Sequence, residues 1–269
     1  MKTFGIDVSY VQEDFDFKKA KNEGVKFVII RGAYSTSKDK LFESHYKNAK
    51  ANGLDVGVYL YTKAKDETGA IKEAEYLYNN CLKGKQFELP IYIDIESSTQ
   101  KALSKKTNTA IVKAFCDYLE SKKYWVGVYS FLSFFKSNLN DNELQNYAHW
   151  VAQWSSECTY KGEDGVFGMW QFGGETNKIR TNKVAGVVCD QNYMLIDYPT
   201  KIKSAGLNGF KKTSIESKEE TKKETKNIHE LAVEVINGKW GNGKEREKRL
   251  TEAGYNYEEV QECVNEILK

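Results

Sequence analysis

The segment PIYIDIES (residues 90–97) carries two carboxylates, Asp94 and Glu96, two positions apart. Side chains alternate along a strand, so Tyr92, Asp94 and Glu96 share one face, while Ile91, Ile93 and Ile95 share the other. Residues so spaced lie about 7 Å apart along a strand. Two acids that close cannot both ionise freely, and one is pushed toward neutral pH. A carboxyl that keeps its proton near neutrality is what a general acid requires. Two further acids repeat the pattern. Asp7 in TFGIDVS shares its face with Gly5 and Ser9, opposite Phe4, Ile6 and Val8, and Asp190 stands in VVCDQNY. Acids gathered around one opening are equipment for cutting a glycosidic bond, one protonating the leaving oxygen while another stabilises the oxocarbenium charge. Such a set also suits a hard divalent cation. No histidine stands among them, and we assign neither metal nor cofactor.

Other inward positions suit a sugar cleft. VGVYLYT presents Gly57, Tyr59 and Tyr61, and WVGVYS presents Gly127 and Tyr129. Glycine low in a strand and tyrosine at its end describe a floor with aromatic walls. Trp154, Trp170 and Gln171 come from later strands. Aromatic faces stack on pyranose rings, and amides read their substituents. Arg31, ending FVIIR, is expected to pair with Asp7, with an acidic sugar substituent as the other choice.

These residues need a frame that brings them together. Eight β-type runs punctuate the first 200 residues: Phe4–Val8, Phe27–Arg31, Val56–Tyr61, Pro90–Glu96, Trp125–Tyr129, Trp150–Trp154, Met169–Phe172 and Val187–Gln191. Amphipathic stretches around Phe17–Glu23, Glu43–Asn52, Glu67–Leu82 and Asn108–Lys122 separate the early ones. Alternating strands and helices predict parallel βα units, and eight strands close a barrel. The later strands have little helix between them, so the fold class is α/β with an irregular (β/α) barrel. Its outward face is apolar under the helices, so the acids point into the lumen, near the strand C-termini. Strand eight lies beside strand one and places Asp190 at its own C-terminal end, and strand four stands across the mouth.

The chain has 269 residues with 40 basic and 38 acidic, a net charge of +2. Near-neutral charge argues against nucleic acid as a partner, and no apolar run reaches a membrane span. Five scattered cysteines without a C-x-x-C pair read as reduced thiols. The N-terminus reads as a strand rather than a signal peptide, predicting synthesis in a cytoplasm. Residues 211–229 hold six Lys and four Glu, too polar to bury a core, and read as a flexible tether. The expected organisation is 1–205 barrel, 206–229 linker and 230–269 a three-helix module, with apolar positions Leu231, Val235, Ile236, Leu250, Val260, Val264 and Leu268.

GIDVS, YIDIE, WVAQW, MWQF and VCDQN together resemble glycoside hydrolase family 25, the muramidases typical of phage lysozymes, over about residues 1–200. The resemblance implies an irregular barrel that cuts the β-1,4 bond between N-acetylmuramic acid and N-acetylglucosamine in bacterial peptidoglycan. It also implies Glu96 as proton donor, with Asp94, Asp7 and Asp190 completing the acidic cluster. An aspartate or the substrate's own N-acetyl group then stabilises the intermediate. The segment NGKWGNG…R…RL…AGY is similar to the cell wall 7 repeat, which implies a muropeptide-binding module. Its candidate contacts are Trp240, Asn242, Arg246, Arg249 and Tyr255, although in so small a module Trp240 and Tyr255 read first as core. For a single repeat, avidity would come from the linked barrel or from self-association. The whole reads as an endolysin made in the host cytoplasm and acting on the wall after release. The alternatives are a chitinase-like barrel, which would want an acid where Tyr92 stands, and a wall-binding protein with no catalysis.

Overall fold

A computed structural model describes residues 2–162, 167–212 and 227–267. These form two units, a barrel and a helical module. The barrel strands are β1 (Thr3–Val8), β2 (Phe27–Tyr34), β3 (Asp55–Tyr61), β4 (Ile91–Asp94), β5 (Val126–Phe131), β6 (Ala148–Ala152), β7 (Met169–Gly173) and β8 (Asp190–Met194). They neighbour one another in chain order, and β8 returns to pair with β1, closing the ring. Strands β1 to β7 are mutually parallel.

Strand eight departs from expectation. It spans Asp190–Met194 rather than 187–191 and runs antiparallel to both β1 and β7. A parallel return needs a long crossover, usually helical. The β7–β8 connection instead holds a small hairpin, Lys183–Val184 against Val187–Val188, and no helix. Asp190 is therefore the first residue of its strand, not near the last. It still reaches the mouth, because an antiparallel strand begins where its parallel neighbours end.

The outer helices are α1 (Phe17–Asn22), α2 (Phe42–Ala51), α3 (Glu67–Leu77), α4 (Ser98–Lys101), α5 (Lys105–Ser121), α6 (Leu132–Asn138) and α7 (Tyr198–Ala205). The longest, α5, starts where Ser104 accepts a hydrogen bond from the Thr107 amide, satisfying an otherwise orphaned donor. Its buried stripe Ile111, Val112, Phe115, Cys116, Leu119 follows helical spacing. That stripe packs with Ile91, Ile93, Val126 and Val128 in the core between sheet and helices. A second core fills the lumen with Phe27, Ile29, Tyr92, Trp150 and Met169. Gly127 makes room for it, since a Cβ there would lie 2.5 Å from the Tyr92 ring. The lumen floor is thus packed, and only the mouth is open to chemistry.

The barrel unit runs past residue 205. Asn208 is fully buried. Its Nδ2 donates to the Leu89 carbonyl at 2.8 Å, and its Oδ1 accepts from the Trp125 amide at 2.6 Å. Leu207 and Phe210 pack against the lumen core. The expected linker therefore begins later than 206, and its residues 213–226 lie outside the described residues. An N-terminal cap at Asn227, closed reciprocally by Glu230, opens the helical module. Helices α8 (Ile228–Ile236), α9 (Lys244–Glu252) and α10 (Tyr257–Ile267) enclose Leu231, Val235, Leu250, Val260 and Val264. All five cysteines are free thiols. No helix of the described residues is long and apolar enough to cross a membrane.

Candidate active site

Strand β4 turns Tyr92 and Asp94 into the barrel. Pairing to β5 continues beyond its end: the Ile95 amide donates to the Tyr129 carbonyl at 3.1 Å, and the Ser130 hydroxyl donates to the Ile95 carbonyl at 2.5 Å. Ile95 is fully buried in the outer core. Alternation therefore carries through, and Glu96 emerges on the side of Asp94. Asp94 is buried, and one oxygen of each carboxyl, Asp94 Oδ1 and Glu96 Oε2, is buried without a hydrogen-bond partner among the described residues.

Across the mouth the acids are held. Asp7 on β1 stands directly opposite Asp190 on β8, and Gly5 opposite Asn192. Facing residues of an antiparallel pair point to the same side, so Asp7, Asp190 and Asn192 share the lumen. Asn192 Nδ2 donates to Asp7 Oδ2 at 2.8 Å, and Gln171 Nε2 donates to the same oxygen at 3.0 Å and to Asp190 Oδ2 at 3.3 Å. Both amides are oriented from behind. Tyr129 OH and Trp154 Nε1 donate to Gln171 Oε1 at 3.0 and 2.9 Å, and Trp150 Nε1 donates to Asn192 Oδ1 at 2.8 Å. With each amide oxygen committed to a donor, each NH2 has to face an acid. Gly174 permits the closure, since a Cβ there would sit 2.0 Å from Asp190 Oδ1 and 2.7 Å from the Trp154 ring.

Burial raises all four carboxyls above their usual range. Asp7 rises to about 6, with desolvation opposed by the hydrogen bonds from Asn192 and Gln171. Glu96 rises to about 7, through desolvation and the charge of Asp7, tempered by Lys101. Asp190 rises to about 8 through desolvation and the charges of Asp7 and Glu96. Asp94 is raised well above its ordinary value by burial and by Glu96 and Asp7, against the pull of Arg31. The four titrate as a coupled set, and Asp7, the best supplied with donors, gives up its proton most readily of the three with a stated value. Among the described residues no three His, Cys, Asp or Glu side chains converge to hold a metal ion.

Two expected positions are corrected. Arg31 pairs with Asp39, not Asp7: its Nε and Nη2 each donate to Asp39 Oδ2 at 2.8 Å. Asp39 follows β2 in a loop whose path no periodicity reveals. Trp170 is excluded from the lumen because Gln171, its neighbour on β7, occupies that face. Its ring packs near Phe172 and Tyr193, with the Lys2 ammonium 5.6 Å away, and its Nε1 donates to the Gln153 carbonyl. Tyr59 and Tyr129 line the lumen against Trp150. Tyr61 pairs in register with Asp94 and stacks on exposed Tyr34, ring centroids 5.0 Å apart. Sequence reasoning missed Asn192, Trp150, Tyr34 and Asp39. The first two were readable, since Asn192 shares parity with Asp190 and Trp150 with Trp154.

In the helical module, Trp240 and Tyr255 meet edge to face against the small core, and Trp240 Nε1 donates to Glu234. Arg246 donates to the Gly241 carbonyl, Gln261 and Asn242, pinning the glycine-rich loop. Arg249, half exposed, lies 3.8 Å from Glu245.

With this geometry in place, the relatives can be compared. The family described as Glycosyl hydrolases family 25 matches residues 6–180, and the CW_7 repeat matches residues 229–268. An autolytic lysozyme of Clostridium acetobutylicum is 32% identical over 151 residues, 56% of this chain and 44% of that protein. An N,O-diacetylmuramidase of Arthroderma benhamiae is 32% identical over 125 residues, 44% of this chain and 52% of that protein. The chain thus spans about half the length of these curated relatives. The crystal structure of the CTP1L endolysin superposes with a TM-score of 0.64 at 24% identity, covering 75% of this chain and 70% of that one. That likeness establishes the shared fold.

Proposed function

Because the chain belongs to glycosyl hydrolases family 25, we propose that it is an N-acetylmuramidase, cutting the β-1,4 bond between N-acetylmuramic acid and N-acetylglucosamine in bacterial peptidoglycan. The observation that carries this reading is the unequal treatment of the acids at one mouth. Glu96, desolvated and short of hydrogen bonds, keeps a proton near neutrality and donates it to the leaving oxygen. Asp7, supplied with two neutral amide donors, is the resident anion that faces the developing oxocarbenium charge. Asp94 and Asp190, raised by burial and by the charges of Glu96 and Asp7, stay protonated beside them. Tyr59, Tyr61, Tyr129 and Trp154 form aromatic walls, and Gln171 ties Tyr129 and Trp154 to the acids.

A protein with this cluster that only binds walls would have no use for a protonated Glu96 beside an amide-held Asp7. We read the CW_7-matched module as an anchor to the same polymer, with Asn242 and Arg249 the candidate contacts that are exposed, and the two units together as an endolysin acting at the wall. Self-association of the module would supply further avidity, and a solution mass equal to one chain at micromolar concentration would overturn it.

The test is digestion of purified peptidoglycan, borohydride reduction of the new ends and mass spectrometry. Reduced muramic acid is expected. Reduced glucosamine would mean a glucosaminidase on the same barrel, and no new sugar ends would mean a binding protein.

A further inference from the structure

Three adjoining hollows lead away from Glu96. The first is lined by Glu96, Lys101, Phe131 and Ser133. The second shares Phe131 and Ser133 and adds Lys136, Gln153 and Thr159. The third shares Lys136 and Thr159 and extends to Lys105 and Tyr160. Their shared walls make one track that starts at Glu96, passes the exposed Phe131 ring and wraps around α6.

The charges along the track differ in how far they are already used. Asp141 spends both carboxylate oxygens, one 3.0 Å from His149 Nε2 and the other accepting from Tyr160 OH at 2.9 Å. Glu143 is shared between Lys113 and Asn140. Among the described residues, Lys101, Lys105 and Lys136 have no carboxylate within ion-pairing distance. The Lys105 ammonium donates to the Lys136 carbonyl at 2.8 Å, which keeps it beside Lys136 with two N–H groups to spare. Uncommitted cations beside committed anions leave a positive field.

A track that begins at the proton donor receives whatever hangs from the sugar being cut. Uncharged N-acetyl hexoses have no use for ammonium groups, whereas the peptide branch carried by muramic acid bears carboxylates. We propose that this track binds the peptide branch of the glycan, with Lys105 and Lys136 holding one of its carboxylates. The assignment rests on the muramidase reading, in which the cut sugar carries that branch.

The experiment compares the parent with the Lys105→Ala/Lys136→Ala double variant, by release of new reducing ends from three substrates. These are whole walls, walls freed of phosphate polymers, and the latter stripped of peptides by an amidase. On peptide-bearing, phosphate-free glycan the double variant should lose about fivefold in kcat/KM, carried by KM. On peptide-free glycan the two proteins should match. Equal losses on both glycans, or a loss on neither, overturn the assignment. A loss confined to whole walls also overturns it and gives the track to phosphate. If the parent releases no reduced muramic acid from any substrate, the muramidase reading fails first and this assignment with it; muramic acid release with no effect of the variant sinks the track alone.

Discussion

The two walls of the mouth treat the same functional group in opposite ways. On the β4 side, Asp94 and Glu96 each keep one buried oxygen without a hydrogen-bond partner among the described residues. On the β1/β8 side, Asp7 takes two amide hydrogen bonds, each amide oriented by an indole or phenol behind it. Burial alone penalises every charge, so a site made only of bare acids would hold only protons. Adding neutral donors to one wall lowers the cost of charge there without importing a cation that would also ionise the other wall. On the muramidase reading, this contrast in hydrogen bonding is what separates proton donor from anion.

The comparison breaks most visibly at the bare wall. Glu96→Gln keeps the shape and removes the proton, and activity on peptidoglycan should fall about 10³-fold while sedimentation with walls persists. Loss of wall binding as well would point to misfolding instead. Asp7→Asn, on the held wall, removes the anion, and a fall of about 10²-fold in kcat is expected. Equal activity would show that the substrate's own acyl group does the stabilising. Activity of the parent should need Asp7 ionised, above about 6, and Glu96 protonated, below about 7, giving a narrow bell in the pH profile of kcat/KM.

Gln171→Leu sharpens the contrast by stripping one donor from Asp7. Its pKa should rise, moving the acidic limb of the bell to higher pH, with a loss of about tenfold at pH 6. An unmoved limb would assign that limb to another group. The smallest effect concerns stability. Asp190 titrates higher folded than unfolded, so its contribution is present at low pH and lost as pH rises toward its folded value. Asp190→Asn should therefore raise the melting temperature by a few degrees at pH 8 and leave it unchanged at pH 3.5. A uniform shift across pH would mean a packing effect.

Much of this was legible in sequence. The alternation of isoleucines against Asp94 and Glu96 gave the direction of both acids, because a helix-covered outer face tolerates no charge. The closure of strand eight on strand one placed Asp190 beside Asp7 although the strand's direction was misjudged, since either direction brings it to the mouth. Parity alone rejects Trp170 once Gln171 is placed in the lumen. Arg31 was different, because its partner Asp39 comes from a loop whose path depends on tertiary contacts. So do the contacts of Arg246, which spends its donors inside the helical module.

The bond from Asn192 to Asp7 joins residues 185 apart in the chain. Helices such as α5 need only local contacts, whereas this bond forms when nearly the whole barrel has been threaded and β8 docks on β1. Long loop closure is slow. The amide hold on Asp7 therefore requires β8 docked on β1, and an incompletely closed barrel carries all its acids without that hold. On the proposed muramidase reading, hydrolytic power would arrive only with a completed barrel.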